Sequence, residues 1–183
     1  MRLGLLKRKK RSPEMTGESK VVAGHAVLWN AVTTIGRDFR ERFAPGSLTN
    51  SLRKADVRAL LDHDTGRVVG RVSAGTLRLR EDATGLLVEI DADLTTPDGQ
   101  TLAGTVGRRD VTGFSPSFRV LEEDWTTGGP LPLRTILEAE LIEVSVVSFP
   151  AYPQTNASLR DAISAHQRLI AKMERDQRLR GLA

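Results

Sequence analysis

The run Leu141-Ile142-Glu143-Val144-Ser145-Val146-Val147 constrains the fold more than any other part of the chain. Side chains on a strand alternate between its two faces. Leu141 and Ser145 therefore share a face with Glu143, while Ile142, Val144 and Val146 form the other. A strand apolar on both faces belongs inside a covered sheet, so Glu143 is predicted to be at least partly buried. A buried carboxylate needs a partner, because desolvation otherwise drives it to protonate. Two partners fit equally well: an arginine in a structural ion pair, or an imidazole that the carboxylate orients.

Other segments share the β character. Lys20 to Asn30, Val57 to Leu61, Val68 to Ser73, Thr76 to Arg80, Leu86 to Asp93, Gly113 to Leu121 and Arg134 to Phe149 read as strands cut by turn residues. Arg37 to Ser47 reads as a polar turn region, punctuated by Pro45-Gly46. Short helices are expected at Ser47 to Lys54 and Pro97 to Arg109. From Asn156 onward, Leu159, Ile163, His166, Ile170 and Met173 recur at helical spacing, which predicts a charged amphipathic helix. The expected fold is mainly β with peripheral helices (β or α+β), a closed or nearly closed, mainly antiparallel barrel. The expected divisions are a basic arm at 1–19, a barrel domain at 20–155, and a helix or tail at 156–183.

Charge bears on the partner. The 27 Lys and Arg exceed the 23 Asp and Glu, a net of +4. Six of those bases lie in residues 1–11 and six more in 160–183, while the stretch between, 12–159, holds fifteen bases against twenty acids. The excess belongs to the ends and the body is acidic, which argues against a nucleic-acid-binding domain. Aromatics at 4% are too few for a base-stacking surface. The absence of cysteine excludes disulfides, a thiol nucleophile and a zinc-cysteine site. No apolar run nears the roughly 18 residues of a membrane helix. The basic cluster follows Leu3, Leu5 and Leu6 rather than preceding an apolar stretch, the wrong order for a secretory signal. A soluble, intracellular protein is the expectation.

Two further residues invite chemistry. His63 closes an apolar strand between Asp62 and Asp64. It is either a solvated turn residue or a base with a proton affinity near neutrality. Ser115 lies in Gly113-Phe114-Ser115-Pro116-Ser117-Phe118. It is either an ordinary strand serine or a nucleophile on a segment anchored by its phenylalanines, needing His63 within reach. Pro116 has no N–H. The residue after Ser115 therefore cannot donate to an oxyanion, which excludes a hydrolase-type nucleophile elbow.

The ordered set of motifs resembles the caudoviral prohead (capsid maturation) serine protease family from about Val21 to Ser158. The pieces are Gly24-His25-Ala26-Val27, Glu41-Arg42-Phe43-Ala44-Pro45-Gly46-Ser47-Leu48, Leu60-Leu61-Asp62-His63-Asp64, Gly70-Arg71 and Gly85-Leu86. They are followed by the Ser115 segment and by Leu141 to Pro153. The resemblance implies a fold like that of the herpesvirus assembly proteases. It implies His63 as general base, Ser115 as nucleophile and Glu143 as third member, with no cofactor or metal. Asp62 stands where such sequences often have asparagine, and Ser117 where glycine is frequent. The implied activity is endoproteolysis inside an immature phage shell in the bacterial cytoplasm. Its expected substrates are the scaffolding segment of the major capsid protein, scaffold and the chain itself. A catalytically silent assembly module of the same fold is the alternative, as is a protease of a domesticated phage-like particle. An oligomer is left open.

Overall fold

A computed structural model describes residues 19–161. In chain order the elements are β1 (Ser19–Leu28), β2 (Thr33–Ile35), β3 (Phe39–Phe43), α1 (Thr49–Leu52), β4 (Arg58–Leu61), β5 (Asp64–Arg71) and β6 (Leu77–Glu81). They continue with β7 (Gly85–Asp93), α2 (Pro97–Gly107), β8 (Gly113–Thr126), β9 (Leu133–Val147) and β10 (Ser158–Asp161).

β9 is the spine. β8 runs antiparallel along one edge of it. The other edge takes β3 against Leu133 to Ile136 and β4 against Glu143 to Val146, both parallel. β2 and β5 complete this six-stranded sheet, and a four-stranded sheet follows the order β10-β1-β7-β6. One core joins the two, with Val22, Val27, Val88 and Ile90 packing among Phe43, Leu61, Ile136, Leu141 and Val144. α2 starts at Thr96, whose hydroxyl accepts the Gly99 N–H, and has Pro97 in its first turn. It buries Leu102, Ala103 and Val106.

Three expectations need correction. Among the described residues the strands form two sheets whose pairings close neither into a barrel, while the pairing is mainly antiparallel as expected, β3 and β4 on β9 being the parallel pairs. The chain crosses over through α1 between β3 and β4, so both lie along β9 rather than pairing as a hairpin. Next, the region read as a polar turn, Arg37 to Ser47, contains β3, with β2 just before it. In Phe39-Arg40-Glu41-Arg42-Phe43 the buried positions are Glu41 and Phe43, so a carboxylate on the inner face hides the alternation. Finally, Ser158–Asp161 is a strand, paired antiparallel with β1 from Ala23↔Ser158 to Lys20↔Asp161. The arm at 1–18 and the helix expected beyond 161 lie outside the described residues. A Cβ on Gly24 would stand 1.8 Å from the Asn156 carbonyl oxygen, so the approach of this segment to β1 requires glycine there.

Glu41 is 2% exposed and ties three segments together. Arg134 of β9 donates to it through Nε at 2.6 Å, and the Tyr152 hydroxyl donates to its other oxygen. Burial, reinforced by the carboxylate, pushes the Tyr152 phenol well above its ordinary range. The Arg134 guanidinium also lies 4.7 Å from the Phe39 ring centroid. Removing one partner of such a buried pair leaves the other uncompensated. Glu41→Ala is expected to lower stability by about 3–5 kcal/mol, read from urea denaturation.

A second polar clasp joins β1 to the β6–β7 turn. His25 Nε2 lies 3.0 Å from Asp82 Oδ2, and Thr84 N and Gly85 N donate to Asp82 Oδ1. The His25 hydrogen bond, helped by those amides, lowers the Asp82 carboxyl to about 2. A depressed folded-state pKa contributes stability above the ordinary carboxylate range, and that contribution is lost as pH falls through the folded value. The melting temperature of the protein is expected to drop between about pH 4 and pH 2. Asp82→Asn should flatten that drop, as thermal scans across the interval would register.

Candidate active site

The pairing Leu61↔Asp64 leaves only Asp62 and His63 to turn the chain from β4 into β5. Both have left-handed backbones, with φ of 47° and 59°. This is the two-residue hairpin whose twist matches that of its flanking strands. Aspartate and histidine are among the side chains that tolerate such angles best. The turn is fastened to the end of β9 at three points. Asp62 N donates to the Val146 carbonyl at 3.0 Å. Ser148 N donates to Asp62 Oδ1 at 3.1 Å, and His63 N donates to Ser145 Oγ at 3.1 Å.

Glu143 and Ser145 lie on one face of β9, and the β8 register sets Ser117 opposite Glu143 and Ser115 opposite Ser145. Glu143 is 8% exposed as predicted, although the coverage expected on both faces holds only from Glu143 to Val147, since Ile142 sits in a bulge opposite Ser117 and Phe118 and is exposed. Its Oε1 lies 2.6 Å from His63 Nδ1. Its Oε2 accepts the Ser145 hydroxyl at 2.7 Å. Ser117 Oγ also donates to Oε1 and lies 3.4 Å from His63 Nδ1. Of the two partners open to Glu143, the structure therefore supplies the imidazole and not an arginine.

A carboxylate against Nδ1 holds the ring proton there and leaves Nε2 as the basic nitrogen. The His63 side chain is 43% exposed, and Nε2 has no hydrogen-bond partner among the described residues. Such an imidazole can take a proton from a hydroxyl placed at Nε2 and return it to a leaving group.

Ser115 is buried on the same face, two residues along β8 from Ser117, and no hydrogen bond joins it to His63. Of the three residues singled out from the sequence, His63 and Glu143 touch, and Ser115 stands beside them. Phe114 is fully buried and Phe118 packs edge-on against Phe43 with ring centroids 4.8 Å apart, the anchoring expected for this segment. A Cβ on Gly113 would meet the Pro150 ring at 2.6 Å, so glycine is required where β8 begins. Pro116 is tolerated because β8 has a strand on only one side of it among the described residues.

Ser117 and Ser145 were missed as site residues. The signal was the two-residue spacing in Ser115-Pro116-Ser117 and Glu143-Val144-Ser145, which puts every polar member on one face. Among the described residues no group of three or more His, Asp or Glu side chains is placed to hold a metal ion.

A family model described as caudovirus prohead serine protease matches residues 6–171. No curated protein matches the chain. Among solved structures, a protease of Kaposi's sarcoma herpesvirus in complex with a hexapeptide phosphonate inhibitor is similar at a TM-score of 0.51 and 12% identity. That match covers 87% of this chain and 77% of the viral one. The varicella-zoster virus protease matches at a TM-score of 0.48 and 14% identity, over 86% of this chain and 77% of that one. The fold is thus mainly β with few helices and like that of a herpesvirus protease.

The turn makes a stability prediction. Asp62→Val places a β-branched residue at a left-handed position and removes the acceptor for Ser148 N. It should cost about 1–3 kcal/mol in urea denaturation. Asp62→Asn tolerates the same angle and keeps an acceptor oxygen, and should stay close to the parent midpoint.

Proposed function

Because the chain belongs to the caudovirus prohead serine protease family, we propose that it is a capsid-maturation endopeptidase with Ser115 as nucleophile, His63 as general base and Glu143 as the group that orients the imidazole. The observation that carries this reading is the buried Glu143 carboxylate 2.6 Å from Nδ1 of an exposed His63, on the sheet face that also bears Ser115. Ser115 Oγ attacks the scissile carbonyl carbon while Nε2 of His63 takes its proton, giving a tetrahedral oxyanion. Collapse breaks the C–N bond, and the amine leaves with the proton from Nε2. Water, deprotonated by the same nitrogen, then opens the acyl-enzyme. Glu143 keeps the ring in one tautomer and balances its charge when protonated. Pro116 cannot donate to the oxyanion, so the donors are other N–H groups.

The substrates in this reading are the scaffolding segment of the major capsid protein, scaffold and the chain itself, met inside the immature shell in the bacterial cytoplasm. The acidic body supports protein substrates over nucleic acid, since the basic surplus lies at the two ends.

One observation favours a second nucleophile: Ser117 Oγ, not Ser115 Oγ, is the hydroxyl 3.4 Å from the His63 ring. Its contact is with Nδ1, the nitrogen already engaged by Glu143, and its own proton goes to that carboxylate. A triad needs the hydroxyl at Nε2, and in unliganded enzymes that bond is often long. Ser115 is therefore preferred.

A peptidyl phosphonate, the inhibitor class bound by the Kaposi's sarcoma herpesvirus protease, tests the assignment. It is expected to label the wild type and Ser117→Ala but not Ser115→Ala. Ser115→Ala and His63→Asn should each lower capsid-protein trimming by at least about 1000-fold with the fold intact. Labelling lost in Ser117→Ala and kept in Ser115→Ala would move the nucleophile to Ser117. A folded wild type that neither takes the label nor trims capsid protein is the silent assembly module instead.

A further inference from the structure

Resting on the catalytic reading of His63 and Glu143, we infer that Ser145 is a positioning residue that joins the backbone of the base to the carboxylate orienting its ring. Ser145 is 0% exposed. Its hydroxyl accepts from His63 N at 3.1 Å and donates to Glu143 Oε2 at 2.7 Å. The directions are fixed, because an amide can only donate and a carboxylate can only accept. Glu143 Oε1 returns to the same histidine through Nδ1. Main chain, hydroxyl, carboxylate and imidazole thus form one closed circuit.

Ser145 is excluded as a nucleophile by the same geometry. It is buried and its proton is committed to Glu143. It also acts differently from Ser117. Ser117 donates to Oε1, the oxygen that His63 already uses, whereas Ser145 holds the opposite oxygen. Without Ser145 the carboxylate loses its only donor on Oε2 among the described residues. His63 N loses its partner in the same stroke. The hairpin itself remains fastened through Asp62 N to Val146 O and through Ser148 N to Asp62 Oδ1. Loss of the hydroxyl should therefore reach the chemistry before it reaches the fold.

The test uses the full chain and saturating peptidyl phosphonate, separating the maximal labelling rate from the concentration giving half of it. Ser145→Ala is expected to lower the maximal rate about 10- to 100-fold, by analogy with the loss when the hydrogen-bond partner behind a metal ligand is removed, with little change in half-saturation. Ser145→Thr, which restores a hydroxyl, should recover most of it. In a Glu143→Gln background, Ser145→Ala should add less than about 2-fold, since residues acting through one another are not additive. Should Ser145→Ala fail to fold, Ser145→Cys replaces it, with sulfur as a weak donor and acceptor, and is expected to label slowly.

A wild-type rate in either folded variant overturns the inference, provided that Ser115→Ala is inert. A full multiplicative loss in the Glu143→Gln background overturns it as well. Undiminished labelling of both Ser115→Ala and His63→Asn refutes the catalytic reading itself, and this inference falls with it.

Discussion

A carboxylate buried near the end of the central strand, among residues that are covered from Glu143 to Val147, is the constraint around which this molecule is arranged. Glu143 cannot be left bare at that depth. It holds an imidazole and Ser117 on one oxygen and Ser145 on the other. The other buried carboxylate along β9, Glu41, meets the same demand differently. It contacts Arg134 and Tyr152 near the strand's beginning. Arginine is charged at any physiological pH, so that contact is permanent. Histidine carries a charge that comes and goes. One strand therefore pairs a buried carboxylate with arginine near one end and with histidine near the other, and the histidine is the more exposed of the two partners.

The long β9 strand makes this arrangement possible. β3 and β4 run parallel to it at successive positions on one edge, and β8 covers the other. β3 brings Glu41 and β4 brings the hairpin of His63, each to a defined register along one strand. β8 supplies the serines from the opposite side. A register slip of one residue would turn a strand's polar members to its other face, so the bulk of the core around Leu141, Val144 and Val146 also sets the alignment of the polar groups.

Much of this could be read from the residues. The apolar residues on both sides of Glu143 announced its burial and its need for a partner, and the acidic cluster around His63 announced a turn. Choosing between arginine and imidazole required three-dimensional proximity across about eighty positions of sequence. Ser117 and Ser145 were hidden because a serine in a strand signals nothing until the register is known. β3 was hidden because its inner face carries Glu41. β10 was hidden because Leu159 fits a helical spacing as well as a strand, and pairing with β1 decides the matter. Sheet closure depends on which edges meet, and local alternation carries no information about that.

The tight turn at Asp62 and His63 has an evolutionary consequence. Left-handed backbone at position 63 admits glycine, asparagine, aspartate and histidine with little strain and resists most other side chains. Of those four only histidine is a base near neutral pH. Codons for histidine and asparagine differ by one nucleotide, as do those for histidine and aspartate. The sequences that keep this hairpin and those that keep a base overlap at a single residue type. Under the proposed mechanism, a folded, inert descendant of this chain lies one point mutation away, and selection on the shape of the turn alone would not notice the change.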